Sequence, residues 1–407
     1  MSSERILIVG GGQGGFQVAA SLRDHGYGGT ITIVGDEPDL PYQRPPLSKG
    51  YLSGKANDEQ ILLRPPAFYA TRNIELRMPE RVTRILRGAQ EVELGCGARI
   101  GYEHLVLATG ARARALAVPG AGLDGVVPLR DLAHAGEVRR RLQSASRVVV
   151  VGAGFIGLEI AAIASTMGIE THVLELADRA LKRALSVATS EFLASAHAAQ
   201  GTRFHFSTAV AEIVGRDGKV CAVTTAAGQR LEADLVIVGV GVEPNCTLAR
   251  EAQLAVSNGI VVDRHLLTAD PAISAIGDCA VYPSAFYPHP VRVESVQNAV
   301  DQARCVAARL AGKPEPYHKV PWFWSDQGAN KLQIAGIASE NDSAVVRGDL
   351  ASGKFSVFRF RDRRLSAVES VNQPGEHLSA RKLLDKAAPL TPEQAADTGV
   401  SLAALLA

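Results

Sequence analysis

Two stretches of this chain are versions of one another. The first, ILIVGGGQGGFQVAASLRDHGYGGTITIVGDE, runs from Ile6 to Glu37, and the second, VVVVGAGFIGLEIAAIASTMGIETHVLE, from Val148 to Glu175. Each opens on a β-branched run, turns at glycines, continues as a helix-like stretch and closes on a second β-branched run ending in acid. Strand, glycine turn, helix and strand make the βαβ unit of a doubly wound parallel sheet. Its appearance twice, about 140 residues apart, predicts an α/β chain with two Rossmann-like domains. A length of 407 residues fits that reading, since it exceeds one typical core and calls for two or three domains.

The glycines fall in a pattern with a mechanism. Gly10, Gly12 and Gly15 fit GxGxxG, as do Gly152, Gly154 and Gly157. The first glycine allows a tight turn, the second lets the backbone approach a pyrophosphate, and the third packs helix on strand. The phosphates then meet the positive end of a helix. Glu175, eighteen residues after Gly157, can accept hydrogen bonds from both ribose hydroxyls of adenosine. It would repel the extra phosphate of NADP, and no arginine follows until Arg179, so NAD(H) is favoured. Asp36 and Glu37 stand at the comparable place in the first unit, Asp36 being the better candidate.

The stretches YEHLVLATGA (Tyr102–Ala111) and ADLVIVGVGVEPN (Ala233–Asn245) each read as a buried strand closing a nucleotide domain. Beyond them, SAIGDCA reads as a strand end and ESVQNAVDQARCVAARLAG as a long helix. From Pro321 the alternation in KLQIAGIA, SAVVRG and KFSVFRF predicts an antiparallel sheet. The expected division is a discontinuous first domain of residues 1–113 and 246–320, a second of 114–245, and a C-terminal α+β domain of 321–407. The Ala-rich last fifteen residues read as a surface helix or a frayed tail.

A net charge of +1 gives no global field for nucleic acid or an anionic membrane. Cys96, Cys221, Cys246, Cys279 and Cys305 are scattered, with no metal-ligand spacing, so no metal site is expected. An odd, dispersed set suits reduced cytosolic thiols. The most apolar stretch is broken by glycines and Glu159, and no signal peptide is legible, so a cytoplasmic protein is the expectation.

Together with the two glycine units, the ATG turn at Ala108–Gly110 and TADPAISAIGD at Thr268–Asp278 resemble the two-dinucleotide flavoprotein family, with its glutathione-reductase-like fold. RPPLSK (Arg44–Lys49), GFIGLE (Gly154–Glu159), ESVQNA (Glu294–Ala299) and PWFWSDQ (Pro321–Gln327) narrow the likeness. They are similar to NADH-dependent ferredoxin reductases of the putidaredoxin reductase and rhodocoxin reductase type and to the reductases of aromatic-ring dioxygenases. The resemblance extends from about residue 5 to about residue 380.

That resemblance implies tightly bound, non-covalent FAD in the first unit and NADH as co-substrate in the second. It assigns Gly10, Gly12, Gly14, Gly15, Asp36, Glu37, Arg44, Lys49 and Val82 to FAD, with Ala108, Thr109, Gly110 and Arg130. Gly277, Asp278, Glu294, Ser295, Val296 and Trp322 complete that set, Trp322 or Trp324 flanking the flavin edge. To NAD it assigns Gly152, Gly154, Phe155, Ile156, Gly157, Glu159, Glu175, Arg183 and Gly241. In relatives, Lys49 and Glu159 form an ion pair beside flavin N5, and these two are the expected catalytic residues. Asp278 is expected on the ribityl chain, Arg130 near the adenine, and Val296 at the flavin pyrimidine, on a helix starting near Ser295.

The flavin disulfide reductases of this family keep a cysteine pair near the position of LPYQRPPLSKGYLSG, where this chain has none. Cys279 follows Asp278 without a partner nearby and reads as a small buried residue. With no internal dithiol, the implied path runs outward, to an acidic [2Fe–2S] ferredoxin serving a cytochrome P450 or other oxygenase. Arg304, Arg309 and the RFRDRR run at Arg359–Arg364 are candidate docking contacts, although residues 321–407 balance ten basic against ten acidic side chains. The alternatives are an NADH oxidase, a rubredoxin reductase or a monodehydroascorbate-type reductase on the same scaffold. Further off stand a redox-responsive interaction protein resembling apoptosis-inducing factor and a flavoprotein with no efficient partner.

Overall fold

The computed structural model describes residues 5–406. It forms two compact units. Of the described residues, the first gathers 5–43, 58–112 and 243–321; the second gathers 44–57, 113–242 and 322–406.

In the first unit, five parallel strands run in the order Ile273–Ala275, His104–Leu107, Arg5–Val9, Thr30–Val34 and Ile74–Arg77. Val9 pairs with Val34 and with Leu107, so the three strands end level where the chain turns at Gly10. Strand residues such as Leu7, Ile8, Ile31, Ile33 and Leu105 are wholly buried, which is why these runs are continuously apolar rather than alternating. The Gln13–Asp24 helix packs against the long Val296–Leu310 helix. A small antiparallel sheet, Val82–Leu86, Glu91–Leu94 and Arg99–Gly101, belongs to the same unit.

The second unit repeats the plan. Its parallel sheet has the order Thr202–His205, Glu170–Leu174, Arg147–Val151, Leu235–Val238 and Val126–Pro128. Val151 pairs with Leu174 and Val238, again level at a glycine turn. The alternating C-terminal segments form the expected antiparallel sheet, in the order Trp322–Gln327, Asn330–Gly336, Arg364–Val371, Lys354–Arg361 and Ser343–Asp349. Among the described residues no helix is long and apolar enough to cross a membrane.

Two expectations need correction. The C-terminal tail is docked, not frayed: Leu402 is buried, and the buried Arg347 guanidinium donates to the carbonyls of Asp397, Thr398 and Val400. Several candidate docking arginines are also turned inward. Arg359 is buried against Glu369 at 3.0 Å, Arg361 donates to Asp342 at 3.0 Å, and Arg309 donates to Ser274 at 2.6 Å. Alternation along the Lys354–Arg361 strand puts Arg359 on the side facing Glu369, where charge must be paired.

Candidate functional site

Both glycine loops take the same backbone form. Gly10 and Gly152 lie at φ of +117° and +104°, outside the range of ordinary side chains. A β-carbon on Gly10 would fall 2.2 Å from the Ala108 carbonyl oxygen, and one on Gly152 2.5 Å from that of Gly239. At the third position, β-carbons on Gly15 and Gly157 would meet the carbonyl oxygens of Gly10 and Gly152 at 2.0 and 2.4 Å. The second position is different. A β-carbon on Gly12 would meet nothing within 4 Å, and one on Gly154 would meet only the Gly239 carbonyl, at 3.8 Å. The protein's own packing demands the first and third glycines, but not the second. Gly12 and Gly154 cap their helices without a side-chain hydrogen bond, leaving bare amides at the helix start. This is the arrangement that accepts a phosphate.

The acids differ between units. Glu175 accepts from the Ala153 amide at 2.7 Å and the Ala177 amide at 2.8 Å, which ties it to its own glycine loop. A carboxylate has about four lone-pair directions, so capacity for ribose hydroxyls remains. In the first unit Asp36 is exposed, whereas Glu37 takes the Tyr42 hydroxyl.

The first unit brings most of the remaining FAD candidates into ordered backbone. Thr109 Oγ1 donates to the Asn245 carbonyl at 2.7 Å, and Asn245 Nδ2 returns a bond to the Thr109 carbonyl at 2.8 Å, fixing the Ala108–Gly110 turn. Gly277 donates its amide to Gln302 Oε1 at 2.7 Å. Gln302 is wholly buried, and among the described residues its Nε2 has no partner, while its Oε1 is held by Gly277, the residue before Asp278. Arg292 spans the Asp278 carbonyl at 3.1 Å and the Glu294 carboxylate at 2.6 Å. Ser295 caps the Val296–Leu310 helix through the Asn298 amide, so Val296 is its first residue, as expected. Val82 is buried on the small antiparallel sheet. Gly14 is filled by helix packing: a β-carbon there would lie 3.2 Å from Ile276 Cδ1 and 3.8 Å from Ala299 Cβ.

The second unit holds the charged pair. The proline-rich turn Pro45–Ser48 presents Lys49, whose Nζ lies 2.7 Å from Glu159 Oε2. The side chain of Glu159 is only 3% exposed and that of Lys49 20%. Two further hydroxyls reach the same carboxylate: Ser48 donates to Oε2 and Ser325 to Oε1. Nearby in the same unit, Arg44 Nη1 donates to the Arg130 carbonyl at 2.8 Å. Gly241 lies at φ of +101°, beside the exposed Arg183, whose Nη2 would be 3.8 Å from a β-carbon there. Phe155 packs on Phe323 at 4.7 Å between ring centres, while Ile156 is 38% exposed. Trp322 lies 5.6 Å from Trp324, with the Arg381 guanidinium carbon 4.6 Å from its ring centre.

Ser48, Ser325 and Gln327 were absent from the sequence-based set. The signal was available for the last two. Strand alternation puts Phe323, Ser325 and Gln327 on one side of Trp322–Gln327 and the two tryptophans on the other.

All five cysteines are free thiols. Burial pushes the Cys279 thiol up, and burial, reinforced by Cys279, pushes Cys246 up to about 11, so neither forms a thiolate near neutrality. Cys279 donates to the Ile276 carbonyl at 3.2 Å, as a small core residue.

Known proteins agree with this architecture. Residues 4–303 match the pyridine nucleotide-disulphide oxidoreductase family, and residues 322–406 match the reductase C-terminal family. Rhodocoxin reductase of Rhodococcus erythropolis is 52% identical over 397 residues, covering 98% of this chain and 93% of the relative. The ferredoxin reductase for the CYP199A2 system from Rhodopseudomonas palustris superposes with a TM-score of 0.97 at 46% identity, over 99% of this chain and all of that one. The reductase in a covalent putidaredoxin reductase–putidaredoxin complex also gives 0.97, at 41% identity over 100% of this chain and 99% of that one. Members of this family use FAD and NAD(H). Two Rossmann-like units with bare glycine loops, a buried lysine–glutamate pair and a docked antiparallel domain are thus features of a chain that belongs to the pyridine nucleotide-disulphide oxidoreductase family, extended by a reductase C-terminal domain.

Proposed function

We propose that this chain is a cytoplasmic, FAD-dependent NADH:ferredoxin reductase, feeding a [2Fe–2S] ferredoxin that serves a cytochrome P450 or ring-hydroxylating oxygenase. Residues 1–113 and 246–320 would hold FAD, residues 114–245 NADH, and 321–407 form the C-terminal domain. FAD, when bound, supplies the chemistry that converts a two-electron hydride donor into a one-electron source.

The chain's own residues set up that chemistry. The amides after Gly12 and Gly154 would take the two pyrophosphates, Asp36 and Glu175 the adenosine riboses, and Asp278 the ribityl chain. Gln302 Nε2, buried and without a partner among the described residues, is an available donor on the side chain that holds Gly277, the residue before Asp278. The Val296–Leu310 helix would direct its positive end at charge accumulating on the reduced ring. Lys49 supplies a fixed positive charge, and Glu159 orients both it and the nicotinamide. Cys246 and Cys279 are buried thiols held protonated, so this reading routes the electrons outward rather than through sulfur. The observation carrying this reading is the Lys49–Glu159 pair, an ion pair whose buried carboxylate stands in the second turn of the nucleotide helix and whose lysine comes from the proline-rich turn.

The test measures turnover with NADH and, in parallel, a [2Fe–2S] ferredoxin, rubredoxin and oxygen. Ferredoxin should be reduced fastest, and NADH should outperform NADPH. A rate with oxygen above that with either iron–sulfur protein would replace this reading with an oxidase.

A further inference from the structure

The carboxylate of Glu159 is the end of a longer path. Gln327 Nε2 lies 2.7 Å from Ser325 Oγ and 3.3 Å from the Phe155 carbonyl oxygen. A carbonyl only accepts, so this end of the Gln327 amide is the nitrogen, and its oxygen faces His197 Nε2 at 2.9 Å. His197 therefore carries its proton on Nε2. Its Nδ1 is buried with no partner among the described residues, so the neutral tautomer is the one the site accepts. Ser325, having received from Gln327, spends its only proton on Glu159 Oε1. The donors point one way: from His197 to Gln327, to Ser325, to Glu159. Bonds aligned head to tail in a dry interior strengthen one another.

We propose that Ser325, Gln327 and His197 are positioning residues for hydride transfer, a one-directional hydrogen-bond chain that fixes the orientation of Glu159 and, through it, of Lys49. This inference rests on the reductase reading above. Oε2 is already shared by Lys49 and Ser48, so without Ser325 the carboxylate loses its only partner on Oε1 among the described residues and can swing about the Lys49 contact. The C-terminal sheet thereby contributes to the redox centre itself. Ser325 and Gln327 come from that sheet, while His197 comes from the Val187–Ala199 helix of the nucleotide domain.

The experiment compares the FAD-loaded wild type with Ser325→Ala, Ser325→Thr, Gln327→Leu and Glu159→Gln. It records single-turnover reduction by NADH, NAD⁺ affinity by calorimetry, thermal midpoint, and the Glu159 carboxylate stretch by infrared difference against Glu159→Gln. Ser325→Ala should slow reduction about tenfold and shift the carboxylate band, with NAD⁺ affinity unchanged. Ser325→Thr, which keeps the hydroxyl, should restore both, and Gln327→Leu should give a smaller effect of the same kind. If Ser325→Ala moves only the thermal midpoint, the chain is structural and the inference falls. If Glu159→Gln also leaves reduction unchanged, the reductase reading of the ion pair falls with it. Slow Glu159→Gln beside a normal Ser325→Ala would overturn the chain alone.

Discussion

The helices Gln13–Asp24 and Phe155–Thr166 are the same device put to two uses. Both have twelve residues, start directly after an uncapped glycine and have a glycine as their third residue. They part at the second and fifth positions. In the first unit these are Gly14, filled by Ile276 and Ala299, and Gln17, whose amide donates to Ser21 on its own helix at 2.9 Å. In the second unit they are the partly exposed Ile156 and the buried Glu159. One helix is closed by its neighbour; the other keeps an exposed apolar residue at its head and holds a charged pair one turn on. On the proposed reading, loop geometry answers to the phosphate, and the side chains after it answer to what each nucleotide is for.

The sharpest way to break this comparison is at the glycines. Gly15→Ala and Gly157→Ala drive a β-carbon into a backbone carbonyl that cannot retreat, costing at or beyond the upper end of ~1–3 kcal/mol for overpacking. Soluble folded protein should largely disappear. Gly12→Ala and Gly154→Ala meet no such obstacle and should fold with near-normal thermal midpoints. Gly12→Ala should nevertheless purify with most of its flavin absorbance lost, and Gly154→Ala should keep the flavin but bind NADH poorly. Equal flavin content in Gly12→Ala and the wild type would remove the phosphate-seat reading.

The next contrast is between Glu159 and Gln17. Replacing Lys49 by Met removes the fixed charge and should slow reduction by NADH about 10²-fold, the scale of one preorganised electrostatic donor. Gln17→Ala, at the matching place in the other helix, should change that rate less than twofold. Smaller again is the contrast between the acids. Glu175→Ala loses a carboxylate tied to its loop by two amides and should raise KM for NADH about tenfold, with NADPH gaining relative to NADH. Glu37→Gln, whose partner is Tyr42, should leave both nucleotides' KM values unchanged.

What could be read from the sequence follows from how local each cause is. The twin βαβ units and the start of the Ser295-capped helix depend on residues adjacent in the chain, and each appears where the pattern predicts. Lys49 was legible only through resemblance, because a lone lysine after two prolines carries no mark of its distant carboxylate, 110 positions on. Ser325 and Gln327 lie further still from Glu159, and their meaning depends on which side of a strand faces the helix. Arg359 and Arg361 misled for the same reason: a basic run looks solvated until alternation assigns each side chain a face.

The last contrast concerns two buried histidines, one in each unit. Burial and the neighbouring Arg309 hold His104 down to about 3; burial and Arg381 hold His377 down to about 4. Each ring is neutral in the fold and titrates near 6.5 when unfolded. Their contributions to stability are complete above pH 6.5 and are lost as pH falls towards those depressed values, because the unfolded chain takes up the proton first. The rings differ in their surroundings. His104 shares a bond with Ser274 at 2.9 Å, whereas neither nitrogen of His377 has a hydrogen-bond partner among the described residues. His377→Leu therefore gives up no hydrogen bond and removes the acid penalty. Relative to wild type it should gain about 2 kcal/mol more at pH 5 than at pH 8, read by denaturant unfolding through the two tryptophans of the adjacent strand. His104→Leu takes from the Ser274 hydroxyl one of its two side-chain partners, leaving Arg309, and should lose stability at pH 8. If the two substitutions respond alike at both pH values, burial alone governs these rings and their hydrogen bonds count for nothing.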